Sequence, residues 1–165
     1  MLTNNKFKIS IIGLGKLGSP MLAIFAEKGF QVVGVDLNAS IVDSINLGIA
    51  PFNEPNLQEL LTNNKGSYFA TTKIDDAIEK SDICFIIVPT PSHKNNFFIN
   101  DYVISAVESI GGALKNKKGY MNVVITSTVM PGTTGSVIKH SLEKASKRKI
   151  GDDLGLCYNP EFIAL

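Results

Sequence analysis

Short apolar, β-branched runs alternate along this chain with longer stretches whose apolar residues recur at helical spacing. Residues 7–12 read as a strand, and the glycine-rich segment after them opens a helix reaching about Lys28, ended by Gly29. Residues 31–36 form a second strand, followed by a helix over 40–47 that Gly48 stops. An irregular link, IAPFNEPN, leads to a short helix over 57–61, a third strand over 68–71 and a short helix over 74–79. Residues 83–88 are apolar at consecutive positions, which suits a strand buried on both faces of a parallel sheet. In residues 101–114, Val103, Ala106, Val107, Ile110 and Leu114 share one helical stripe. Residues 122–126 are another buried strand, 133–147 a helix with Thr133 as its possible N-cap, and 154–158 a last strand. This β-α alternation predicts an α/β fold: a Rossmann-type, doubly wound, mainly parallel six-stranded sheet with helices on both faces. Residues 1–165 are expected to form one domain.

Composition narrows the function classes. With 44% hydrophobic and 19% charged residues the chain can fill a core, so it is not a disordered tail. A net charge of +1 gives no argument for nucleic acid. The one basic run, KASKRK at 144–149, reads as a solvated helix end. Cys84 and Cys157 lie far apart in strand-like runs, no CxxC occurs, and His93 and His140 stand alone, so neither a zinc site nor a disulfide framework is expected. Both thiols are expected to be buried and free, which fits a reducing cytoplasm. No run is long enough to span a bilayer and the N-terminus has no signal-peptide pattern, so the expected location is cytoplasmic.

The chemistry begins at KISIIGLGKLGSP. Gly13, Gly15 and Gly18 make a GxGxxG, weak evidence alone but stronger here because it follows a strand and opens a helix. Gly13 makes the tight turn, Gly15 lets the backbone approach a pyrophosphate, and Gly18 lets helix and strand pack closely. Lys16 and Leu17 lie in the same loop, where free N–H groups and the helix dipole favour phosphate. Asp36 ends the next strand, near the roughly 20-residue spacing the motif expects for an acid that binds ribose hydroxyls. It would repel a 2′-phosphate, which favours NAD over NADP; the bland alternative is that Asp36 caps the next helix.

In such a sheet ligands lie beyond the carboxyl ends of the strands. Three further loops fall there: Val88-Pro89-Thr90-Pro91, STVMPGTT at 127–134, and NPEF at 159–162. The two prolines fix the backbone around Thr90, which then reaches the far ribose, or else the segment is a plain turn. Ser127 and Thr128 can donate hydroxyls to the nicotinamide ribose or to a bound water. Glu161, partly desolvated in the crevice, suits a general base; an exposed surface glutamate fits the position equally well.

Together these loops resemble the N-terminal NAD-binding domain of the UDP-glucose/GDP-mannose dehydrogenase family. The likeness runs nearly the whole chain, including NLGIAPFNEPNLQELL with Glu54-Pro55, VPTP, STVMPGTT and NPEF. The resemblance implies oxidation of the C6 alcohol of a UDP- or GDP-sugar to a carboxylate with two NAD⁺, through a thiohemiacetal and a thioester on a catalytic cysteine. It implies that Thr128 holds the water or the reacting oxygen, that Glu161 serves acid/base and hydrolysis steps, and that Val88, Pro89, Thr90 and Ser127 contact the cofactor. Two positions depart from the family pattern: Ile41 stands where many members carry a basic residue, and Leu165 where many carry a second glutamate. Neither Cys84 nor Cys157 matches the nucleophile, which belongs to later domains of the family, as do the dimerising helix and the sugar-nucleotide domain. The chain is therefore expected to bind NAD without turning over. The full-length protein is expected to be a homodimer or higher oligomer, taking its nucleotide-sugar substrate through those domains, with no nucleic-acid or membrane partner. A 6-phosphogluconate or 3-hydroxyisobutyrate type of dehydrogenase and a free-standing NAD-sensing module are the alternatives.

Overall fold

The computed structural model describes residues 7–91 and 99–161. Six strands, β1 (Lys8–Ile12), β2 (Gln31–Val35), β3 (Tyr68–Thr71), β4 (Ile83–Ile86), β5 (Met121–Ile125) and β6 (Leu154–Tyr158), form one sheet in the order β3-β2-β1-β4-β5-β6. Every pairing is parallel. The helices are α1 (Gly18–Glu27), α2 (Ala39–Leu47), α3 (Leu57–Asn63), α4 (Ile74–Lys80), α5 (Asp101–Leu114) and α6 (Lys139–Ser146). The doubly wound, six-stranded α/β architecture read from the sequence is the one observed. Reversal of strand order between β1 and β4 opens the crevice in which such sheets bind ligands.

Two cores sandwich the sheet. Ile9 and Ile11 of β1, Val32 of β2 and Tyr68 of β3 pack with Leu22 and Ala23 of α1, Ile45 of α2 and Leu57 of α3. Cys84 and Ile86 of β4 and Val123 and Ile125 of β5 pack on the other face with Val103, Val107 and Ile110 of α5 and Leu142 of α6. β1, β2 and β4 contribute residues to both cores, as consecutive apolar positions require. The α5 stripe is the predicted one, with Val103, Val107, Ile110 and Leu114 buried and Ala106 partly so. The IAPFNEPNLQELL link is braced by Gln58, whose Oε1 accepts from Ala50 N at 2.9 Å and whose Nε2 donates to Gly48 O at 2.9 Å. Glu54 O accepts from Leu57 N at 3.2 Å, giving Glu54-Pro55 a place in the turn that starts α3.

Four expectations are corrected. Thr133 does not cap a helix: its φ of −59° is already helical, its side chain makes no capping bond, and a π-helical turn (Thr134–Ile138) precedes α6. The basic run is not wholly solvated, because Arg148 is only partly exposed. Its guanidinium donates to Gly119 O at 2.8 Å, to Leu114 O at 2.9 Å and to Lys117 O, gripping the link from α5 to β5, with Asp153 at 3.4 Å. Strand β4 stops at Ile86 rather than Val88, since Val88 bonds to a side chain of the next loop. Finally, only Cys84 is buried; Cys157 is exposed on the edge strand β6.

Candidate active site at the carboxyl edge of the sheet

The glycine loop is fixed by steric necessity. Gly13 leaves β1 with a φ of +97° and donates its N–H to Val35 O at 2.8 Å, tying the turn to β2. A Cβ on Gly13 would lie 2.0 Å from Ile87 O, and one on Gly18 would lie 1.8 Å from Gly13 O, so neither position admits a side chain. At Gly15 a Cβ would meet nothing within 4 Å. The first and third glycines therefore serve the fold, and the second faces open space. Ser19 Oγ donates to Leu14 O at 2.6 Å and holds the loop from beneath. Among the described residues the amides of Gly15, Lys16 and Leu17 have no acceptor, and they lie directly ahead of α1.

Asp36, just past β2, is tied to this loop. Its Oδ2 accepts from Leu14 N at 2.8 Å and its Oδ1 from Asn38 N at 2.9 Å. The cap of α2 is Asn38, whose Oδ1 accepts from Ser40 N at 3.0 Å, so capping is not the task of Asp36. A carboxylate has acceptor capacity beyond two bonds, which leaves room for ribose hydroxyls. Leu37 beside it is 93% exposed, an apolar side chain left in water at the rim. Ile41 packs partly buried against the core under α1 and brings no charge to the crevice.

The loops after β4 and β5 form a second body. Ser127 is 6% exposed, and its hydroxyl bonds to the loop after β4. Its Oγ accepts from Val88 N at 2.8 Å and donates to Val88 O at 2.8 Å, with Ile86 O at 3.3 Å. The single hydroxyl proton is thereby committed within the protein. Pro91 O accepts from Ile99 N at 2.9 Å, anchoring the far end of the Pro89-Thr90-Pro91 segment; Thr90 is half-buried. Thr128 is exposed. Thr126, next to Ser127, was not singled out by the sequence; its Oγ1 is buried and has no hydrogen-bond partner among the described residues.

Beyond β6, Asn159 N donates to Ile125 O at 2.9 Å, extending the sheet toward Glu161. Glu161 is exposed rather than desolvated, and Asn159 Nδ2 donates weakly to its Oε1 at 3.4 Å. Phe162 and Leu165 lie outside the described residues. Burial pushes the Cys84 thiol up to about 12, despite a hydrogen bond from Ser10 that lowers it, so Cys84 is inert as a nucleophile near neutral pH. Among the described residues no group of three or more His, Cys, Asp or Glu is placed to hold a metal ion.

The donor set fits a dinucleotide. Free amides and open space meet at Gly15, acceptor oxygens stand at Asp36, and polar loops continue across β4, β5 and β6. Lys16 and Leu17 lie in the glycine loop ahead of α1, and Val88, Pro89 and Thr90 lie in the loop after β4.

Comparison with known proteins agrees. The chain is 40% identical over 158 residues to GDP-mannose 6-dehydrogenase of Pseudomonas syringae pv. syringae, covering 94% of this chain and 36% of that protein. It is also 40% identical over 156 residues to UDP-glucose 6-dehydrogenase of Haloferax volcanii, again covering 94% of this chain and 36% of the relative. The crystal structure of a ternary complex of GDP-mannose dehydrogenase from Pseudomonas aeruginosa superposes with a TM-score of 0.92 at 38% identity, covering 95% of this chain and 36% of that one. The chain thus spans little more than a third of the length of these relatives. Residues 7–164 match the NAD binding domain of the UDP-glucose/GDP-mannose dehydrogenase family, and the chain belongs to that family.

Proposed function

We propose that residues 1–165 are the NAD-binding domain of an enzyme that oxidises the C6 alcohol of a nucleoside-diphosphate sugar to a carboxylate. The observation that carries this reading is the open space at Gly15 between two glycines that the fold itself requires. Bound NAD⁺ supplies the hydride acceptor. The amides of Gly15, Lys16 and Leu17 hold the pyrophosphate at the head of α1. Asp36 accepts from the adenosine ribose and disfavours a 2′-phosphate, while the exposed Leu37 offers the adenine an apolar surface. Thr90 contacts the nicotinamide ribose. Thr128 orients the reacting oxygen or the water, and Glu161 takes up and returns its proton.

The nucleotide-sugar substrate and the nucleophilic cysteine come from the further regions that members of this family carry. The full-length protein works in the cytoplasm as a homodimer or higher oligomer, without nucleic-acid or membrane partners. Among the described residues no helix is long and apolar enough to cross a membrane. The test is a titration of the 165-residue chain with NADH and with NADPH, followed by fluorescence. NADH is expected to bind and NADPH to bind at least about tenfold more weakly. Equal affinity for both removes the ribose assignment, and oxidation of UDP-glucose or GDP-mannose by this chain alone removes the division of labour. Tight NADH binding with a large conformational response in calorimetry would favour a sensing module instead.

A further inference from the structure

We propose that Ser127 is a positioning residue that holds the nicotinamide side of the cofactor site through the main chain of Val88, without itself touching the cofactor. The inference rests on the NAD reading above and adds a role that the cofactor need not be present to show. Val88 lies past the end of β4, where ladder partners stop. A main-chain N–H and C=O there would otherwise need water or would leave the loop free to turn over. Ser127 Oγ takes both, accepting from Val88 N and donating to Val88 O, each at 2.8 Å. Ser127 N in turn donates to Ile86 O at 3.0 Å, so the serine is itself tied to β4 on its main-chain side. Its burial shields these bonds from competing water.

The tie reaches the glycine loop. Ile87, between the two tied residues, donates its N–H to Ile12 O at 2.8 Å, and its carbonyl occupies the place where a Gly13 Cβ would be. The serine just past β5 thus fixes the residues that follow β4 against β1's first loop residue. With Pro89 and Pro91 unable to donate and Pro91 O accepting from Ile99 N, the polar groups left for a ligand on this segment are those of Thr90 and the Pro89 carbonyl. An alanine at 127 leaves Val88 N and O without partners in a partly buried site, and the loop that presents Thr90 is released.

The experiment uses this chain and two ligands. ADP reports the adenosine and phosphate contacts of Asp36 and the glycine loop; NADH adds the nicotinamide half over β4 and β5. S127A is expected to weaken NADH binding about tenfold while ADP affinity stays within about twofold, and S127T, which keeps the hydroxyl, is expected to recover most of the loss. Unchanged NADH affinity in S127A overturns the proposal, as does an equal loss for ADP and NADH, which would mark a general structural role. Wild-type chain that binds neither ligand overturns the NAD reading and this inference with it, whereas wild-type binding with an insensitive S127A overturns only the inference. Should S127A fail to fold, amide exchange in the wild type decides: a Val88 N–H as slow as those inside β4 supports the tie, and one as fast as Thr90 N–H refutes it.

Discussion

The two halves of the crevice are built differently. Around β1, the glycine loop and Asp36 lock one another with hydrogen bonds and with packing that leaves no room for a side chain: a Cβ on Gly18 would lie 1.8 Å from Gly13 O. On the other side, the loops after β4 and β5 are joined by one buried hydroxyl, that of Ser127, and Thr128 and Glu161 stand exposed. The first half is complete within the domain. The second leaves the side chains of Thr128 and Glu161 open to solvent.

The sharpest way to break this contrast is steric. G18A drives a methyl group into Gly13 O and is expected to destabilise the fold by about 3 kcal/mol, read by urea unfolding. G15A, where nothing lies within 4 Å, should unfold like wild type yet lose NADH affinity about tenfold or more. If both glycines behave alike, the division between a structural and a ligand-facing glycine is wrong. D36A ranks next: it strips Leu14 N and Asn38 N of a charged acceptor, so NADH affinity should fall by about 1.5–3 kcal/mol, with D36N retaining part of it. On the other half, E161Q should leave NADH affinity of this chain within about twofold, on the proposed reading in which Glu161, exposed past the outermost strand, serves the substrate. Smallest is the thiol count. Ellman's reagent at pH 8 should titrate Cys157 quickly and reach Cys84 only after denaturation, since burial keeps the Cys84 thiol protonated up to about 12.

Sequence reading reached the first half far better than the second, for a physical reason. Gly13, Gly15, Gly18 and Asp36 act through local spacing, so a strand, three glycines and one acid reveal the loop. The strands and the α5 stripe were legible in the same way, because burial on two faces and on one face leaves different periods. Ser127 is the counter-example. A serine at the tip of a strand looks the same whether it faces a ligand or the neighbouring loop; only the pairing of β4 with β5 decides. Arg148 was hidden likewise, its three carbonyl acceptors lying far back in sequence at Leu114, Lys117 and Gly119. Exposure of Cys157 follows from β6 being the outermost strand, which a local apolar run cannot declare.

The contact between Gly13 and Ile87 is made by a carbonyl and a hydrogen, neither of which depends on what side chain residue 87 carries. Selection can therefore act on this junction only from one direction. Position 87 is free to drift among apolar residues that still fill the core beneath it, while position 13 tolerates no drift at all. Two residues in intimate contact will then show no correlated change across descendants of this chain, and a contact map inferred from co-variation will miss the joint that holds its two halves together.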